Sequence, residues 1–198
     1  MRTFVYIDAF NLYYGAVKDT AYKWLDLAAL CRLLLPPRLH HIVKIKYFTA
    51  RVQPRPNDPD QPMRQQIYLR ALRTLPHCEI IYGHYLSHAV FMPLANPPPG
   101  QNPYVRVIKS EEKGSDVNLA THLLFDAFRD CFECAVVVSG DSDLKTPVAL
   151  LRSELKKPVG VINPQRKVCR ALQQEATFYK HIRESALQSS QFPAAMMD

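Results

Sequence analysis

No stretch of this 198-residue chain approaches the roughly 18 consecutive apolar residues of a membrane-spanning helix, so no membrane association is expected. The N-terminus shows neither the basic stretch nor the apolar core of a signal peptide, and enters a strand-like run at once. The expected location is therefore cytoplasmic. Paired metal-binding cysteines are also lacking. Cys31, Cys78, Cys131, Cys134 and Cys169 are odd in number and mostly stand in apolar surroundings, the pattern of reduced thiols. Cys131-Phe-Glu-Cys134 is a lone CxxC with no second pair and no histidines at matching spacing, which argues against zinc. His84 and His88 stand four apart, but in sequence that reads as strand and turn. There are no internal repeats.

What is present is ordinary in bulk. Apolar residues make up 47% and charged residues 22%, as in a soluble globular protein. The length suits one domain with a substantial core, assigned to residues 1–188, with 189–198 as a flexible tail. Lys and Arg outnumber Asp and Glu by 25 to 18, a net charge of +7. That excess favours phosphate-bearing partners, although solubility alone accounts for a modest surplus.

Against this basic background four aspartates are placed with care. Asp8 ends the apolar run Arg2-Thr-Phe-Val-Tyr-Ile7. Asp141 and Asp143 end Val136-Val-Val-Ser-Gly140, and Asp116 stands in Lys113-Gly-Ser-Asp116. Carboxylates converging on one end of a sheet repel each other unless a positive charge sits between them. Hard oxygen ligands of this kind suit Mg²⁺ or Mn²⁺. The competing reading is structural: Asp is a favoured helix cap, and Ser-Gly-Asp-Ser is a good turn sequence.

The elements follow from periodicity and punctuation. Residues 3–8, 42–49, 78–85, 134–139 and 158–162 read as strands. Helices are expected over 26–35, with Asp26 as N-cap and Pro36-Pro37 as the stop, and over 63–75, 114–129, 145–155, 169–174 and 179–187. Val90–Leu94 and Tyr104–Ile108 are expected to pair as an antiparallel extension around the 96–100 loop. Strands alternating with helices make an α/β fold with a mostly parallel central sheet flanked by helices. Ligands in such folds bind beyond the carboxyl ends of the strands, where Asp8, Asp141 and Asp143 fall and which Asp116 can reach.

Three blocks in order, Phe4-Val-Tyr-Ile-Asp8-Ala-Phe-Asn11, Glu112-Lys-Gly-Ser-Asp116-Val-Asn-Leu-Ala120 and Val138-Ser-Gly-Asp141-Ser-Asp143, resemble the NYN family. These are PIN-like nuclease domains that include the LabA-type bacterial proteins, and the similarity spans roughly residues 3 to 163. The resemblance implies a PIN-like three-layer sandwich and metal-dependent cleavage of RNA. By the same resemblance Asp8, Asp116, Asp141 and Asp143 form the acidic metal cluster, and Asn11 is the Asn after the first strand. One departure stands out: six residues after Asp116, where many members carry an acid, this chain has His122. The histidine either replaces a metal ligand or is an exposed helix residue, and Glu111 or Glu112, placed in a mobile loop, could supply a substitute carboxylate.

Around the acids, Asn11 either meets phosphate, orients Asp8 or caps a turn, and Ser139 either contacts phosphate or forms the turn. Lys113 precedes a helix start, a natural phosphate end. Arg51 and Lys145 are basic candidates for backbone phosphates, with Lys44, Lys46, Arg55, Arg64, Arg106, Lys109 and Lys167. Tyr13, Tyr14 and Tyr104 could stack on unpaired bases, which suits single-stranded RNA. The expected activity is a Mg²⁺- or Mn²⁺-dependent endoribonuclease. The rival is an RNA-binding or regulatory module on the same fold that has lost catalysis, a rival that His122 sustains. An aspartate-nucleophile phosphatase fits worse, because Phe10 stands where a second Asp is needed. Apolar segments around Val90–Leu94 and the closing helix either form a homodimer face or pack internally.

Overall fold

The structure, a computed structural model, describes residues 1–193. The elements run β1 (Arg2–Asp8), α1 (Ala9–Leu12), a π-helical stretch (Tyr13–Val17), α2 (Leu27–Leu34), β2 (His41–Thr49), α3 (Gln61–Arg73), β3 (Cys78–Tyr82), β4 (His84–Pro93), β5 (Tyr104–Lys113), α4 (Ser115–Phe128), β6 (Cys134–Val138), a 3₁₀ turn (Ser142–Leu144), α5 (Lys145–Ser153), β7 (Val159–Asn163), α6 (Arg170–Glu175), β8 (Phe178–His181) and α7 (Glu184–Gln188). Six strands form one sheet in the order β3-β2-β1-β6-β7-β8. Every pairing in it is parallel. The chain builds outward from β1 through β2 to β3, then returns to the other side of β1 and builds outward again. Loops leaving β1 and β6 therefore diverge, and the cleft between them is the fold's binding position.

Strand alternation explains the layers. Val5, Ile7, Val136, Val138 and Ile45 face α1, α2 and α3 in one core, whereas Tyr6, Phe48, Ala135 and Val137 face α4, α5 and α6 in the other. Helices thus cover both faces, which is why β1 and β6 read as unbroken apolar runs. Gly160 marks the closest approach in the sheet: a Cβ there would stand 2.0 Å from the Phe178 ring on β8. Gly160→Ala is expected to cost about 1–3 kcal/mol by displacing that ring, read as a lower denaturation midpoint with an unchanged m-value.

The second face carries a buried polar cluster. Lys46 Nζ donates to Asp126 Oδ2 at 2.5 Å, the Tyr6 hydroxyl donates to the same oxygen at 2.7 Å, and His122 Nδ1 lies 3.2 Å from the ammonium. His122 packs edge-on against Phe48. It is thus neither an exposed helix residue nor a cleft residue: its α4 position points it at the sheet.

Four expectations change. The strand expected over 78–85 breaks at Gly83, because β4 leaves the sheet to form a separate antiparallel ribbon with β5, from His84↔Lys113 to Pro93↔Tyr104. This ribbon holds Glu111 and Glu112 in a strand rather than a mobile loop. The helix expected from 179 is instead β8 followed by α7, since Phe178–His181 completes the sheet edge against β7. The tail expected from 189 is held further along: Ser190 and Phe192 are buried, and the Phe192 N–H donates to the Trp24 carbonyl. Positions 194–198 of that expected tail lie outside the described residues. On the ribbon, Phe91 and Met92 are exposed rather than packed into the core. Among the described residues no helix is long and apolar enough to cross a membrane.

Candidate active site

Asp8 is the last residue of β1 and is 5% exposed. It caps α1: the Asn11 backbone N–H donates to Oδ1 at 2.9 Å, and the Ser139 hydroxyl donates to Oδ2 at 3.0 Å. Ser139 follows β6, is fully buried, and accepts from the Asp141 N–H at 3.1 Å. One hydroxyl therefore joins the ends of the two central strands. Ser139 forms the turn and orients Asp8, with no surface left for phosphate.

Asp141 caps the 3₁₀ turn by accepting from the Asp143 N–H at 3.0 Å. Asp116 stands in the first turn of α4, whose start is set by Gly114 at φ 94°, a left-handed conformation that glycine adopts without strain. Glu112, at the end of β5, caps the same helix, accepting from the Ser115 N–H at 3.1 Å and its hydroxyl at 2.8 Å. Asn11 accepts from the Gly140 N–H at 2.8 Å and from Gln165 Nε2 at 3.3 Å through its Oδ1. It thereby pins the Gly140 loop against β1. Asn11→Ala is expected to destabilise the fold by about 1–3 kcal/mol, because the part-buried Gly140 N–H loses its acceptor; thermal denaturation checks this.

Asp8, Asn11, Asp116 and Asp141 line one cleft with Phe10, Tyr14, Gly15, Glu112, Ser115 and Gln165. The structure thus brings three of the four expected aspartates together. Asp143 is exposed at the rim and is not part of the lining, although its charge reaches Asp116. Lys113 is exposed beside Glu111 at 3.7 Å, Arg51 lies over the Tyr82 ring, and Lys145 opens α5 on the surface, all outside the lining. Tyr13 turns into a neighbouring cavity. Gln165 and Ser115 were not anticipated. Gln165 had one signal, its position just past the carboxyl end of β7.

The electrostatics are those of crowded acids. Burial pushes the Asp8 carboxyl up to about 6; the Asn11 N–H and Ser139 hydroxyl pull the other way, while the charges of Asp116 and Asp141 add to the rise. Asp116 is also raised, by burial first and then by Asp141, Glu112 and Asp143. Among the described residues no three His, Cys, Asp or Glu side chains converge into a preformed metal cage. The donor set nonetheless has the chemistry a hard divalent cation takes, anionic oxygens whose repulsion a positive charge would relieve. The cysteines are all free thiols with no part in the cleft.

Comparison with known proteins places these features. The chain is 29% identical to 6-hydroxy-3-succinoylpyridine 3-monooxygenase HspA of Pseudomonas putida (strain DSM 28022 / S16), across all of this chain and 70% of that protein. A protein of unknown function from Vibrio parahaemolyticus RIMD 2210633 superposes with a TM-score of 0.60 at 18% identity, covering 96% of each chain, and shares the fold. The NYN domain profile matches residues 2–183, almost the whole length, and the chain belongs to the NYN domain family.

Proposed function

We propose that this chain is a metal-dependent ribonuclease that hydrolyses phosphodiester bonds in single-stranded or looped RNA. Asp8, Asp116 and Asp141 would hold Mg²⁺ or Mn²⁺, with Asp143 reaching it through water. One observation carries the reading: Asp8 is buried at the switch point of the sheet, and its carboxyl is pushed up to about 6 by burial first and then by the charges of Asp116 and Asp141. Such crowding is unfavourable unless a cation shares the cleft, and a cation held there can in turn draw in a phosphate. A divalent cation there would activate a water and neutralise charge growing on the phosphate.

The remaining groups have simpler work. Ser139 and the Asn11 N–H hold Asp8 in one orientation. Asn11 Nδ2, with no protein partner among the described residues, can donate to a phosphate oxygen. Lys113, Arg51 and Lys145 stand outside the cleft, suited to neighbouring phosphates of a longer strand. Tyr14, 48% exposed at the cleft wall, offers a face on which an unpaired base can stack.

A second reading comes from the Pseudomonas relative, whose name describes a monooxygenase acting on a substituted pyridine. An aromatic-lined cavity beside the acid cleft favours it. In that case the chain would act on a small ring and leave RNA intact. Incubating the protein with one RNA sequence, single-stranded and as a duplex, with Mn²⁺, Mg²⁺ or EDTA, separates the readings. Cation-dependent cutting of the single strand supports the ribonuclease; intact RNA under every condition overturns it.

A further inference from the structure

Next to the acid cleft lies a cavity of about 180 Å³ between the π-helical stretch, the Trp24 segment, the end of β2 and the start of α3. Phe10, Tyr14, Trp24, Tyr47 and Tyr68 contribute aromatic surface to it. An apolar cavity of about 150 Å³ suffices for benzene, so this one fits a single ring with small substituents. Its walls are fixed. The Tyr68 hydroxyl donates to the Leu25 carbonyl at 3.0 Å, and Trp24 meets Tyr68 edge-on at 6.2 Å.

The polar groups of the wall are not equally satisfied. Gln65 is used on both sides, donating to the Ala50 carbonyl and accepting from the Val52 N–H. Arg64 is held bidentately by Asp58. Gln61 Oε1 is buried and has no hydrogen-bond partner among the described residues. A buried acceptor without a donor is unfavourable, so turning the Gln61 amide toward the cavity it lines gives Oε1 an N–H partner on whatever fills that space. Phe10 and Tyr14 line the cavity and the acid cleft alike, so the two spaces adjoin.

We propose that this cavity is a pyrimidine pocket: it takes the base of the nucleotide whose phosphate lies over Asp8, Asp116 and Asp141, with Gln61 Oε1 accepting an N–H from the base edge. Uracil and cytosine each present such a donor on a single ring, whereas a purine adds a fused ring to the same space. The aromatic walls supply stacking, which is tolerant of the exact base. Pocket size supplies the preference for the single ring, and the lone acceptor sets its orientation. The proposal rests on the ribonuclease reading for the phosphate but not for the base.

Trp24 is the single tryptophan of the chain, so its fluorescence reports the cavity directly. The wild-type protein is titrated with uridine and cytidine 5′-monophosphates, adenosine 5′-monophosphate, ribose 5-phosphate and 2-hydroxypyridine, and its RNA cleavage is assayed in parallel. Saturable quenching by both pyrimidine nucleotides, at least tenfold weaker quenching by the purine and none by ribose 5-phosphate are expected. Gln61→Leu should weaken the pyrimidine nucleotides about tenfold at a melting temperature equal to or above that of wild type. Unaltered Trp24 emission with pyrimidine nucleotides, while RNA is still cut, would overturn the pocket and leave the nuclease standing. Pyrimidine quenching without RNA cleavage would support the pocket and sink the nuclease. Quenching by 2-hydroxypyridine alone would overturn the nucleobase assignment in favour of a free small ring.

Discussion

Asp8→Asn should abolish phosphodiester cleavage and raise the melting temperature near pH 7.5 in the same protein. The loss, on the order of 10³-fold in turnover, follows from removing the buried charge at the reacting centre. The gain follows from the same charge. Asp8 is held at about 6 in the fold against 3.8 for an ordinary aspartate, so the native state favours the neutral acid. Above pH 6 the ionised carboxylate therefore destabilises the fold, by on the order of 3 kcal/mol. That deficit fades as pH falls through 6 and is gone below about 3.8. Asparagine keeps an acceptor for the Asn11 N–H and carries no charge, and the Ser139 hydroxyl, which loses its acceptor, offsets part of the gain. Its stabilisation should accordingly be several degrees near pH 7.5, shrink with acidification, and be matched in wild type by adding Mn²⁺. Equal melting temperatures at both ends of this pH range would show that Asp8 is not strained by its neighbours.

Lys46→Met should be the most damaging substitution away from the cleft. The Lys46 and Asp126 side chains are only 7% and 10% exposed, and the Tyr6 hydroxyl shares the same carboxylate oxygen. Truncating the ammonium leaves the buried Asp126 side chain without its counter-charge. The expected cost is about 3–5 kcal/mol, or roughly 10 °C for a chain of this length. Replacing the whole cluster is a different matter, because buried pairs are often matched by apolar residues of similar volume. The triple change Lys46→Met, Asp126→Leu and Tyr6→Phe should recover most of the loss. Thermal denaturation of both variants checks this. A single-variant loss under about 1 kcal/mol would mean that water reaches Asp126.

How far the sequence led depended on whether the deciding interaction was local. β1 and β6 were legible because burial on both faces leaves no polar interruption, and α2 because Asp26 caps it within its own turn, accepting from the Ala29 N–H. The expected order of strands carried Asp8 and Asp141 to neighbouring strand ends. Phe178–His181 failed for the opposite reason: its strand state comes from pairing with β7, which no local pattern announces. Gly83 hid a change of sheet, and so hid the strand that holds Glu112 in the cleft. His122 looked like an altered ligand because the family resemblance implied an acid there; only the position of Lys46 on β2 shows it to belong to a buried cluster. The aromatic cavity draws on four separate segments and has no motif at all.

The proposed cleavage of RNA by Asp141 and its neighbours is tested most directly at Asp141 itself. Asparagine caps a turn as well as aspartate does, so Asp141→Asn removes the charge while sparing the bond that the Asp143 N–H donates to this side chain. The measurement is cleavage of an end-labelled single-stranded RNA by wild type and Asp141→Asn, each with Mn²⁺ or EDTA, at matched circular dichroism. Cutting by wild type with Mn²⁺ alone, and none by the folded variant, is expected. Equal cutting by wild type and variant, or none by either, would contradict the proposal.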